Sequence, residues 1–155
     1  MYHKLESGTE HYSMKSGTNQ SSIFEKVIRS DKDEAKNLIG EALAYFKELQ
    51  KSGLAREISE FNFRLALDEA IENAISHGNK FDASKKIHLT IQGFKNKIDM
   101  TIEDEGNGFK PEADPQTALQ RNLFASHGRG LCLLKTLGTI LWNRKGNSIN
   151  VVLKD

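Results

Sequence analysis

Cysteine is all but missing. Cys132 stands alone, so no internal disulfide staples the chain, and a lone thiol fits a reducing, cytoplasmic setting. Set in Leu131-Cys132-Leu133-Leu134, it reads as core packing rather than as a reactive thiol. Proline is nearly as scarce, and both residues, Pro111 and Pro115, fall in one stretch. Charge of one sign is also lacking: 22 Lys and Arg against 21 Asp and Glu leave a net charge of +1. That balance offers no electrostatic footprint for nucleic acid or an anionic membrane. Long apolar runs are absent too. Runs such as Leu131 to Leu134 are far short of a bilayer span, and Met1 to Ser22 has no apolar core for a secretory signal. With these classes set aside, 155 residues suit a single domain large enough for a real core.

Residues 1–20 are rich in Ser, Gly, Thr, His and Lys without apolar period. They read as a mobile tail, in part a remnant of cloning, leaving 21–155 as the folded domain. Ser22 to Arg29 carries the β-branched and aromatic residues of a first strand. Asp31, with Glu34 three residues on, opens a helix in the manner of a capping box. Its apolar residues recur at helical spacing as far as Gln50, and Gly53 closes it. A second helix runs from about Ile58 to His77, with Gly78-Asn79 as a left-handed stop. Lys86 to Phe94 and Lys97 to Asp104 alternate apolar and polar residues around Lys95-Asn96, the pattern of a hairpin.

From Phe109 to Ser126 periodicity fades, as in a functional lid or a disordered segment. Gly130 to Leu137 forms a short helix. Gly138 to Arg144 and Ser148 to Lys154 then pair around Lys145-Gly146-Asn147. The expected fold is α+β: a two-layer sandwich with helices on one face of a mixed, largely antiparallel sheet.

Three stretches carry chemistry. In Asp68-Glu69-Ala70-Ile71-Glu72-Asn73-Ala74-Ile75-Ser76-His77-Gly78, residues Glu69, Asn73 and His77 lie four apart on one helix face. An amide oxygen there can hold a hydrated Mg²⁺, and a carboxylate one turn earlier can accept a proton beside the same phosphate. A solvated helix face would also contain these acids, but Asn73 is a mediocre helix former flanked by the pairs Ala70-Ile71 and Ala74-Ile75. His77 has no Cys or second His at ligand spacing; a helix C-terminus suits its charge better than zinc does.

Asp104-Glu105-Gly106-Asn107-Gly108-Phe109 ends a strand with a carboxylate and two glycines. An Asp there can accept a hydrogen bond from the exocyclic amino group of adenine, although the same residues make an ordinary turn. His127-Gly128-Arg129-Gly130-Leu131 opens a helix, where exposed N–H groups suit phosphate. Arg129 has a phosphate, a protein partner or solvent open to it.

In this order the three stretches resemble the N box and two glycine boxes of the GHKL ATPase superfamily, over roughly Ser22 to Asp155. The N box ending in His-Gly, in a domain of this size, is most similar to anti-sigma-factor serine kinases of the RsbW and SpoIIAB type. The resemblance implies ATP with Mg²⁺. It casts Asn73 as the metal ligand, Asp104 as the reader of adenine, and Gly106 and Gly108 as shapers of the base pocket. Gly128, Arg129, Gly130 and Leu131 fall at the phosphates and the lid hinge, and Glu69 matches the general base.

Relatives carry a Gly-Thr pair before the last strand, where this chain has Lys145-Gly146-Asn147-Ser148. The lid has Arg121 as its one strong cation near the middle. The implied partners are a STAS-type anti-sigma-factor antagonist and a sigma factor, in the cytoplasm, with a homodimer implied by family alone. Two other readings stay open. One is a module that binds nucleotide and sequesters a partner without turnover. The other is the catalytic domain of a histidine kinase, for which Met1 to Ser22 is too short to hold the helical hairpin with its phospho-accepting histidine.

Overall fold

The computed structural model describes residues 11–15, 21–108 and 128–154, with the side chains of 11–15, 128 and 129 left aside. The expected lid, Phe109 to Ser126 with Arg121, lies outside the described residues.

Alternation builds the sheet. In β2 (Ser21–Arg29) Ser22, Phe24 and Ile28 turn inward. In β3 (Lys86–Gly93) Ile87, Leu89 and Ile91 do so, and in β4 (Lys97–Asp104) Ile98, Met100 and Ile102. The period of two sets the register, because a slip of one residue would turn these side chains outward. Leu89 thus faces Ile102, Ile91 faces Met100, and Met100 faces Val151 of β6 (Ser148–Lys154). With β5 (Thr139–Trp142) at one edge, the sheet has six strands in the order β1-β2-β3-β4-β6-β5. All five pairings are antiparallel, so the mixed sheet anticipated above is antiparallel throughout.

The strand β1 (His11–Lys15) corrects the reading of residues 1–20 as a tail outside the fold. It pairs with β2 from His11 opposite Glu25 to Lys15 opposite Ser21. Its one alternation, Tyr12 and Met14 between His11, Ser13 and Lys15, is too short to stand out in a stretch otherwise rich in Ser, Gly and Thr.

Among the described residues, three helices cover one face. Helix α1 (Lys32–Lys51) starts where Asp31 Oδ1 accepts the N–H groups of Asp33 and Glu34, at 2.9 and 3.0 Å. Glu34 reaches past the cap to accept from the backbone N–H of Arg29 at 2.8 Å. These bonds and the Arg29 guanidinium hold its carboxyl below the usual range. Gly53 ends the helix at a φ of +90°, as anticipated. Helix α2 (Glu60–Asn73) is capped by Ser59 and locked to α1 where Phe63 stacks on Phe46, with ring centroids 4.5 Å apart. Helix α3 (Gly128–Leu137) packs against α2. No helix among the described residues is long and apolar enough to cross a membrane.

The end of α2 departs from expectation. Ala74–Gly78 is a π turn, closed by Asn79 N–H donating to the Ala74 carbonyl at 2.8 Å. Gly78-Asn79 is not a left-handed stop: Asn79 has a φ of −81°, and the left-handed residues are Lys80 and Phe81, at 54° and 60°. Asn79 is instead fully buried as a tie. Its Nδ2 donates to the Lys86 carbonyl at 2.9 Å, and its Oδ1 accepts from the Glu105 N–H at 2.9 Å. The extra residue of a π turn leaves no mark in the apolar spacing, and such turns cluster at functional sites.

Candidate functional site

Two elements meet at the C-terminal end of α2. Ala66, Leu67, Ala70 and Ile71 bury the inner face of the helix, which leaves Glu69 and Asn73 half-buried one turn apart beside α3. Gly130 of α3 sits directly against them. A Cβ on Gly130 would stand 2.5 Å from Glu69 Oε2 and 3.4 Å from Asn73 Nδ2. The Asn73 Nδ2 atom is buried and has no hydrogen-bond partner among the described residues. A buried amide left open costs about 1–3 kcal/mol.

Below it, the π turn brings Gly78 onto the end of β4. A Cβ on Gly78 would overlap the Asp104 carboxyl, and one on Gly106 would overlap the Gly78 carbonyl. These two glycines let helix end and strand end touch through backbone. Asp104 Oδ1 accepts from the Gly106 N–H at 2.8 Å. Burial raises the Asp104 carboxyl above its ordinary range, although the Gly106 N–H and the charge of Lys145 pull the other way.

Asn147 grips the same residue from the other side. Asp104 N–H donates to the Asn147 carbonyl at 2.9 Å, and Asn147 Nδ2 donates to the Asp104 carbonyl at 2.7 Å. Asn147 is in turn fixed by Asn143, whose Nδ2 donates to Asn147 Oδ1 at 2.8 Å and whose Oδ1 accepts the Gly146 N–H at 2.7 Å.

Between these parts lies a cavity of about 280 Å³. Its wall is chiefly apolar, from Ala74, Ile102, Leu131, Trp142 and Ile149, with Asn73, His77, Asp104, Asn147 and Ser148 as polar points. An apolar slot with a few convergent polar groups is the usual form of a small-molecule site. The structure thus brings Glu69, Asn73, Asp104, Gly106, Gly108, Gly130 and Leu131 to one place. Gly128 and Arg129 open α3, and where the Arg129 side chain points lies outside the described residues.

Sequence reasoning missed Trp142, Asn147 and Ser148, which line the cavity from the closing hairpin. The stretch that departs from the Gly-Thr pattern, Gly146-Asn147-Ser148, faces the site all the same. The available signal was Asn143 and Asn147 flanking a glycine, a turn built by side chains. No cluster of three His, Cys, Asp or Glu suited to a metal occurs among the described residues.

No curated protein matches the chain. A family model, the histidine kinase-like ATPase domain, matches residues 33–152 and so spans all three helices, strands β3 to β6 and the cavity. Three boxes in order, an α+β fold that unites them and a match over most of the sequence agree: the chain belongs to the family of histidine kinase-like ATPase domains and is an ATP-binding domain of the GHKL type.

Proposed function

We propose that this chain is an ATP-dependent protein serine kinase that also sequesters a sigma factor, and that its substrate is a small STAS-type anti-sigma-factor antagonist. The observation that carries the reading is the placement of the Glu69 carboxylate against Gly130 of α3, one turn from the open Asn73 amide and beside the cavity. Adenine fills the apolar slot, with its amino group on Asp104 Oδ2. The phosphates lie toward the N-terminal turn of α3, where Gly128, Arg129 and Gly130 present backbone N–H groups backed by the helix dipole.

Mg²⁺ fits Asn73, since this ion keeps several waters and is usually bound by one or two protein groups together with substrate phosphates. When bound, it neutralises charge on the phosphates. The two amide atoms of Asn73 exchange by a flip, so the buried open atom suits the oxygen ligand equally. Glu69 takes the proton from the partner's serine hydroxyl. The serine oxygen bonds to the γ-phosphorus, the bond from that phosphorus to the β–γ bridging oxygen breaks, and ADP leaves with the electron pair.

The reading also rests on the similarity of the N box to the anti-sigma-factor kinases, and it places the protein in the cytoplasm. The test is to isolate partners from cells with and without ATP, and then to follow label from γ-labelled ATP. Glu69→Gln keeps the shape of the side chain and removes the proton acceptor. ATP binding and partner capture should persist while transfer falls by roughly 10²-fold or more. If the wild type transfers no label to any captured partner, the chain is a nucleotide-binding module that sequesters without turnover. If Glu69→Gln transfers at the wild-type rate, another group is the base.

A further inference from the structure

A second hollow opens on the outer side of the helical layer. It is a groove of about 660 Å³ between α1 and α2. Its floor is apolar, from Ala35, Ile39 and Leu43 on one side and Ile71 and Ile75 on the other. The two walls differ in sign. Lys32 and Lys36 rise from α1, while Asp68, Glu69 and Glu72 rise from α2, where Arg64 pairs with Asp68 at 3.6 Å.

Gly40 lies in the middle of α1 and borders the groove. Glycine is a poor helix former, and nothing lies within 4 Å of a Cβ placed there. Internal packing therefore gives no reason for its missing side chain. A chain approaching from outside does.

Glu69 links the two hollows: it lines the groove, and its carboxylate lies against Gly130, the neighbour in sequence of Leu131 in the cavity wall. The geometry points to the α1–α2 groove as the docking site of the phosphoacceptor protein, which lays an amphipathic helix along it and so brings a serine at one end to Glu69. Two parallel ridges with an apolar trough between them fit a third helix. The opposed walls select one that is acidic along the flank facing Lys32 and Lys36 and basic along the flank facing Asp68 and Glu72. This inference rests on the kinase reading of Glu69 and adds the surface that delivers the substrate.

The experiment uses the full chain and synthetic helical peptides of about four turns, each with leucines at helical spacing and a terminal serine. One peptide carries Glu on one flank and Lys on the other; two controls carry Glu alone or Lys alone on both. Fluorescence anisotropy should show the mixed peptide binding at least tenfold more tightly than either control. Gly40→Leu, which fills the groove from an exposed helix position, should weaken it at least tenfold with ATP affinity unchanged and a thermal midpoint that does not fall. Lys36→Glu, a surface change, should weaken it as well. Equal affinity in both variants, or equal affinity for all three peptides, overturns the docking site. A groove occupied by a second copy of the chain also overturns it, and shows as a dimer that Gly40→Leu splits in sedimentation. Tight, groove-dependent binding without label transfer to the terminal serine supports the docking site and contradicts the kinase reading.

Discussion

Asp104 is held at both ends of its peptide unit by Asn147 and at one carboxyl oxygen by Gly106. These bonds fix the carboxyl in place at the cavity wall. Its carboxyl is raised by burial, so the folded protein binds this proton more tightly than the unfolded chain does. The sign follows from linkage: Asp104 favours the fold most below the unfolded value of about 3.9. That contribution is lost as pH climbs through the raised folded value. Asp104→Asn keeps the oxygen that Gly106 needs and removes the charge. Without nucleotide, the stability of the variant relative to wild type should therefore improve as pH rises from about 4 toward neutrality. Urea unfolding at several pH values measures it, and a difference that is flat or runs the other way contradicts the assigned environment. Asp104, Asn73 and Glu69 were legible as candidates because each sits in a short pattern with its own chemistry. Asn147 was not, because its role is to hold a residue 43 positions away, and no local pattern encodes that distance.

The elements show why the paired strands could be read and the helix end could not. Ile87, Leu89 and Ile91 against Ile98, Met100 and Ile102 alternate without interruption, and one buried face is enough to specify both strands and their register. The stop at Gly78-Asn79 was misread because glycine and asparagine suit left-handed backbone. Here Gly78 answers instead to the Asp104 carboxyl pressed against it, and Asn79 to the carbonyl of Lys86. The strain falls on Lys80 and Phe81, which have no preference for it. Strand β1 escaped notice for another reason: its only apolar alternation is Tyr12 and Met14, in a stretch otherwise polar. Helix α1 offers a check at this scale. Gly40 is exposed, mid-helix and in open space, so Gly40→Ala should stabilise the fold by about 0.5–1 kcal/mol. A midpoint in denaturant that falls instead of rising would mean that the glycine serves the fold of α1 itself.

At the scale of the molecule, one sheet and one helical layer create two hollows on either side of α2. The cavity toward the sheet is narrow and apolar, whereas the groove toward solvent is wide and walled by charge. Glu69 stands between them. The order of the boxes along the chain was enough to place the nucleotide stretches on α2, the end of β4 and the start of α3. What the sequence could not convey was their convergence with a closing hairpin that adds Trp142 and Ser148. Whether this convergence forms the proposed adenine-nucleotide site read by Asp104 is decided by calorimetric titration of the wild type and Asp104→Asn with Mg-ATP and Mg-GTP. A site built to accept the amino hydrogen of one base rejects a base that lacks it there, because the buried acceptor is left unpaired. The wild type should bind ATP well over tenfold more tightly than GTP, and Asp104→Asn should lose most of that preference along with most of its ATP affinity. Equal affinity of the wild type for the two nucleotides, or unchanged ATP binding in Asp104→Asn, would contradict it.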